Sequence, residues 1–111
     1  MHVLKKNDKL NVDNRIISFK EISDKLREEY KEVQETIIDY DDKANLENLK
    51  ELIRETFDLI QMCILILWKC HKIAKYIDKP KLVEEVNIEH KDKLAKREWI
   101  IETGIEIDVK G

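Results

Sequence analysis

Apolar positions recur at spacings of three and four along most of the chain, the pattern of helices that bury one face. One run reads Ile22, Leu26, Glu29, Val33, Ile37, and a second reads Leu52, Glu55, Leu59, Met62, Ile66. Ser18-Phe19-Lys20-Glu21 has the form of a capping box, and Ile17 with Ile22 can supply the hydrophobic staple around it. A first helix is therefore expected from this point to about Tyr40. Asp39-Tyr40-Asp41-Asp42 breaks the stripe and offers N-cap side chains to a second helix, running from about Ala44 to about Ile77. Asp78-Lys79-Pro80 stops that helix, with Pro80 suited to the first turn of a third. The third, residues 81 to about 96, carries Leu82, Val86, His90 and Leu94 on one side. Past Trp99 and a turn at Gly104, Ile105, Ile107 and Val109 alternate with charged residues as in a short strand. Residues 1–17 give little signal. The expected fold is all-α, an antiparallel helical bundle with its core over about 18–97. Segments 1–17 and 98–111 flank it, the latter a short irregular or strand-like tail, and the whole is one domain.

Two Gly and one Pro among 111 residues agree with long uninterrupted helices. The second helix would be roughly 50 Å long, at 1.5 Å per residue. Its middle, residues 59–67, is apolar on nearly every side. Three helices cannot cover such a segment, so a second protomer is expected to pack on it and give a homodimer or homotetramer. The chain carries 21 Lys and Arg against 24 Asp and Glu, a net charge of −3. No cationic excess exists to neutralise a nucleic-acid backbone, so nucleic acid is not an expected partner. The most apolar stretch, residues 59–68, is about half the length a membrane-spanning helix needs, so no membrane partner is expected either. Residues 1–14 are polar and show no secretory signal. Cys63 and Cys70 stand about 10 Å apart by helical rise and cannot pair with each other. A cytoplasmic protein with reduced thiols is the expectation.

The charges that do not fit the pattern are the informative ones. Glu29 and Glu55 occupy stripe positions that should be apolar, and each has a second acid three residues on, Glu32 and Asp58. Residues three apart on a helix project about 60° from one another and can reach one ion together. A short connection favours antiparallel packing of the first two helices, which lets both pairs meet midway along the contact. Burying several carboxylates together is costly unless they are protonated or paired with cations, and four of them make a hard oxygen site suited to Mg²⁺ or Mn²⁺ rather than zinc. The same residues also fit boundary carboxylates that reach water or pair with Lys and Arg. Asp39 with Asp42 and Glu89 with Asp92 share the spacing and belong to ordinary solvated segments. No C-x-x-C or H-x-x-x-H spacing supports a zinc site at Cys63, Cys70, His71 and His90.

Glu28-Glu29-Tyr30-Lys31-Glu32, followed after 22 residues by Glu55-Thr56-Phe57-Asp58, resembles the E-E-x-x-E…E-x-x-D signature of the MazG-like nucleotide pyrophosphohydrolases. This all-α superfamily includes dimeric dUTPases, dCTP pyrophosphatases and phosphoribosyl-ATP pyrophosphohydrolases. The resemblance covers about residues 18–99. His90-Lys91-Asp92-Lys93-Leu94-Ala95-Lys96-Arg97-Glu98-Trp99 also looks like the H-x-x-K-L-x-x-R-G-W ending of small phage-type and Gram-positive members. The resemblance implies a dimeric or tetrameric, Mg²⁺-dependent enzyme that splits nucleoside triphosphates between the α and β phosphates, releasing a monophosphate and pyrophosphate. It assigns metal binding to Glu29, Glu32, Glu55 and Asp58, with Glu28 beside them either to support the ligands or to help position water. Mn²⁺ would be a substitute cofactor, and a pool-sanitising role is the expectation.

Phosphates left outside the metal need positive charge, and Lys93 and Arg97, four apart on the third helix, are the candidates; a solvated basic face is the other account of them. Trp99 is a candidate for stacking on a base, Trp68 fits either that role or, better, the core, and His90 fits a core or interface position. Three positions depart from the family pattern. Arg54 stands where relatives often carry an acid, Phe57 where they carry a small residue, and Glu98 where small relatives have Gly. Phe57 suggests altered local packing. The competing functional reading is a non-catalytic helical oligomerisation or regulatory module with a structural or vestigial metal site.

Overall fold

Three helices form where the stripes place them. The computed structural model describes residues 1–105; the expected strand at Ile107 and Val109 lies outside them. The capping box at Ser18 is present: its hydroxyl accepts from the Glu21 backbone N–H at 3.1 Å and the Glu21 carboxylate accepts from the Ser18 N–H at 3.3 Å. From it α1 spans Phe19–Asp42, two residues beyond the expected end, so Asp39 to Asp42 continue the helix instead of breaking it. The cap of the next helix comes from Asn45, whose Oδ1 accepts from the Asn48 N–H at 2.8 Å. Helix α2 then spans Leu46–Tyr76 without interruption, and α3 spans Leu82–Lys96. Pro80 sits in the turn before α3 and not in its first turn. No described helix is long and apolar enough to cross a membrane.

Both α2 and α3 end in the same way. Asp78 and Glu98 take positive φ, 62° and 63°. The Asp78 N–H donates to the Lys75 carbonyl at 3.1 Å and the Lys79 N–H to Ala74 at 2.7 Å. After α3, Glu98 donates to Ala95 at 3.1 Å and Trp99 to Leu94 at 3.2 Å. These are Schellman closures, whose left-handed residue is usually glycine.

The chain forms two compact units, His2–Trp68 and the segment from Lys69 onward. The first holds α1 and most of α2 in an antiparallel hairpin with a three-residue connection. Leu26 and Leu59 line one groove, Glu29 and Glu32 approach Glu55, and the Asn48 side-chain amide donates to the carbonyls of Asp39 at 3.3 Å and Lys43 at 2.9 Å. The partner position falls on α1 as it climbs on α2. Along α1 the covered stripe is Ile22, Leu26, Glu29, Val33, Thr36, Tyr40; Ile37 is exposed, because the fourth step falls at Thr36. All five stripe residues expected on α2 are half-buried.

An N-terminal arm, invisible as elements in the sequence, completes this unit. Strands β1 (Lys6–Asn7) and β2 (Val12–Asp13) pair antiparallel around a turn in which Asn11 has φ 53°. The Asn14 side-chain amide donates to the Leu4 carbonyl at 3.0 Å, and the Gln61 amide donates to the His2 carbonyl, fixing the arm to α2.

In the second unit, Leu82 and Leu94 of α3 are half-buried while Val86 and His90 are exposed, so the expected four-residue stripe is covered only at its ends. Fully buried apolar residues among those described are Ile22, Ile64, Leu65 and Ala74.

Candidate functional site

The hairpin register brings Glu29 and Glu32 of α1 against Glu55 of α2. One carboxylate oxygen from each lies within 4.8 Å of the other two. Glu29 and Glu55 are half-buried and Glu32 is exposed. Asp58, also exposed, stands close enough for its charge to act on both Glu29 and Glu55, although it is outside the 4.8 Å group. Glu28 is exposed on α1 and turns about 100° away from Glu29, so it takes no part in the cluster. Asp39, Asp42, Glu89 and Asp92 are exposed, as solvated acids should be.

The electrostatics are those of like charges forced together. A hydrogen bond with Glu32, loss of solvent, and the charges of Glu32, Asp58 and Glu29 push the Glu55 carboxyl from 4.5 up to about 7. Glu29 is raised as well, first by loss of solvent and then by Glu32 and Asp58, against an opposing pull from Lys25. Oε2 of Glu29 and Oε2 of Glu55 are shielded from solvent and have no hydrogen-bond partner. Buried polar atoms are nearly always satisfied, so two orphaned acceptors facing a third carboxylate fit a cation. An all-oxygen donor set of this kind suits a hard divalent ion.

The flanking departures do not disturb this arrangement. Arg54 is engaged by Glu51 and, at 3.6 Å, by Glu47, one and two turns earlier on α2. Phe57 is 54% exposed.

On each helix the cluster occupies one edge. At about 100° per residue, Glu32 and Asp58 are displaced from Glu29 and Glu55 toward the same edge of an antiparallel pair, whereas Leu26, Tyr30 and Leu59 are displaced to the other. The second edge carries a groove of about 380 Å³ lined by Ser23, Leu26, Arg27, Tyr30 and Leu59. Lys93 and Arg97 line a separate surface hollow of α3 with Glu89, Asp92 and Lys96, and Trp99 follows that helix, 66% exposed. These three belong to the second unit, while the four metal-ligand candidates belong to the first. Trp68 is half-buried. Two residues not singled out in the sequence stand on the carboxylate edge, Lys25 and Gln61. Their signal was available in principle, since Lys25 lies four before Glu29 and Gln61 three after Asp58.

Comparison with protein-family models, with curated proteins and with solved structures found no match. The likeness to the MazG-like enzymes therefore rests on the spacing of the acids, their order and the segment around α3.

Proposed function

We propose that this chain is a divalent-metal-dependent nucleoside triphosphate pyrophosphohydrolase, converting a (d)NTP and water to the monophosphate and pyrophosphate. The observation that carries the reading is the meeting of Glu29, Glu32 and Glu55, two of them with an orphaned carboxylate oxygen, at the register their sequence spacing requires. Glu29, Glu32, Glu55 and Asp58 would hold the ion, Mg²⁺ or in its place Mn²⁺. When bound, the ion supplies charge neutralisation for the phosphates and lowers the pKa of a coordinated water.

The chain's own residues do the rest. The hairpin fixes the α1 carboxylates against that of α2, so the oxygen set is preorganised rather than gathered on binding. A carboxyl held near neutrality by its neighbours, as Glu55 is, sits in the range where a group exchanges a proton readily at physiological pH. Lys93 and Arg97 are the α3 cations assigned to phosphate, and exposed Trp99 is the side chain assigned to the base. Association into a dimer or tetramer belongs to this reading, as does a pool-sanitising role.

The test is pyrophosphate release from a panel of canonical and damaged NTPs and dNTPs with Mg²⁺ or Mn²⁺, alongside Glu55→Gln. Metal-dependent release that the substitution abolishes is the expected result. A folded, metal-loaded protein that is silent across the panel would favour the non-catalytic module instead.

A further inference from the structure

The carboxylate edge of the hairpin has a cationic end. Lys25 precedes Glu29 by four residues, which places it about 40° from Glu29 on the side of Glu32. With Leu26 and Leu59 lining one groove, Lys25 stands level with the α2 turn that contains Gln61. Gln61 follows Asp58 by three residues and so lies toward the same edge. Its amide donates to the His2 carbonyl and so ties the N-terminal arm to this turn of α2. Three residues on, Lys5 is fixed in the arm, its carbonyl accepting from the Asn14 N–H at 2.8 Å. Lys6 pairs with Asp8 at 3.5 Å and Arg15 with Asp13 at 2.8 Å, whereas Lys5 and Lys25 make no such ion pair among the described residues.

We propose that Lys25, with Lys5 of the arm that Gln61 ties to α2, binds the terminal phosphates of a triphosphate whose other end lies at the Glu29–Glu32–Glu55 cluster. This inference rests on the nucleotide-hydrolysing reading and names the positive element within the hairpin unit itself. A triphosphate carries about four negative charges, more than one divalent ion offsets, so its far end needs cations. Lys25 stands beside several acids without closing an ion pair, and its charge still reaches Glu29. Once a divalent ion neutralises those acids, the ammonium is left facing whatever anion lies over them. Lysine suits this place as a mobile point charge for phosphate.

A purely structural lysine, present only to offset the carboxylates, makes the opposite demand. Its loss would tighten divalent-ion binding and leave phosphate affinity unchanged. The experiment is titration calorimetry with inorganic tripolyphosphate at saturating Mg²⁺. It compares wild type, Lys25→Ala, Lys25→Arg, Lys5→Ala and the surface control Lys20→Ala, with thermal melts to confirm folding. The expected result is about a tenfold loss of affinity for Lys25→Ala, a smaller loss for Lys5→Ala, recovery in Lys25→Arg and no change in Lys20→Ala. Unaltered affinity in Lys25→Ala overturns the inference, and the hydrolytic reading survives if release still requires Mg²⁺ and Glu55. Wild-type protein that binds no tripolyphosphate also overturns it. Only if that protein also fails the nucleotide panel does the hydrolytic reading fall too.

Discussion

Glu55 shows how one residue can act against the fold that contains it. Its folded carboxyl titrates near 7 and an unfolded one near 4.5. A group whose pKa is raised by folding contributes stability below its unfolded value and loses it as pH climbs through the folded one. Metal-free protein should therefore lose melting temperature between about pH 4.5 and 7 and level off above. Glu55→Gln should flatten that decline and melt higher than wild type at pH 8 without metal, even as it removes the proposed activity. Divalent ions at pH 8 should restore the wild type, and at about pH 6, where Glu55 still holds its proton, their binding should release it, which calorimetry in buffers of different ionisation enthalpy would reveal. A metal-free melting temperature that rises over the same window would contradict the strained cluster.

Among elements, helices were legible in the sequence wherever a long stripe and a local cap agreed. Start and stop of α1, α2 and α3 lie within about two residues of expectation, at α1 because Ser18 caps it locally. The junction with α2 falls at residues 43–45 with Asn45 as cap, and not at the break the sequence suggests at residues 39–42. The arm was not legible. Its strands are two residues long, too short for alternation to register, and its attachment joins His2 to Gln61 across 59 positions. Lys25 was hidden for a different reason: a lysine at the rim of an amphipathic helix reads as solvated surface until the partner helix is in place. The Schellman closures make the clearest element-scale prediction. Glu98 sits at φ 63°, where a side chain costs about 1 kcal/mol relative to glycine. Glu98→Gly should stabilise the chain by that amount in chemical denaturation, and a destabilised variant would mean the glutamate makes compensating contacts.

At the level of the whole molecule, burial is what the chain lacks. Ile22, Ile64, Leu65 and Ala74 are its fully buried apolar residues among those described, while Ile37, Ile53, Phe57, Leu67 and Ile73 are each about half exposed. Small domains with so little interior are usually completed by other copies. Sedimentation or light scattering at micromolar concentration should give a mass of at least two chains, and a stable monomer would sink the expectation. The same expectation follows from the periodicity, since the middle of α2 is apolar on more faces than α1 alone can cover. Which faces would meet is not a property of one chain's stripe, so the sequence does not specify it.

The short connection between α1 and α2 has a kinetic consequence. Glu32 and Glu55 are separated by little more than twenty residues, and the tie from Asn48 to Asp39 and Lys43 is more local still. Contacts of such short range form early, ahead of those that require the two ends of the chain. The N-terminal arm, which must find Gln61 from the far end of the sequence, comes later. Each refolding molecule thus drives its carboxylates together near the start of the reaction, when little else has formed to hold them. The acid cluster thus lies on the path to the native state, and a proton or cation that offsets its repulsion should speed refolding as well as stabilise the product.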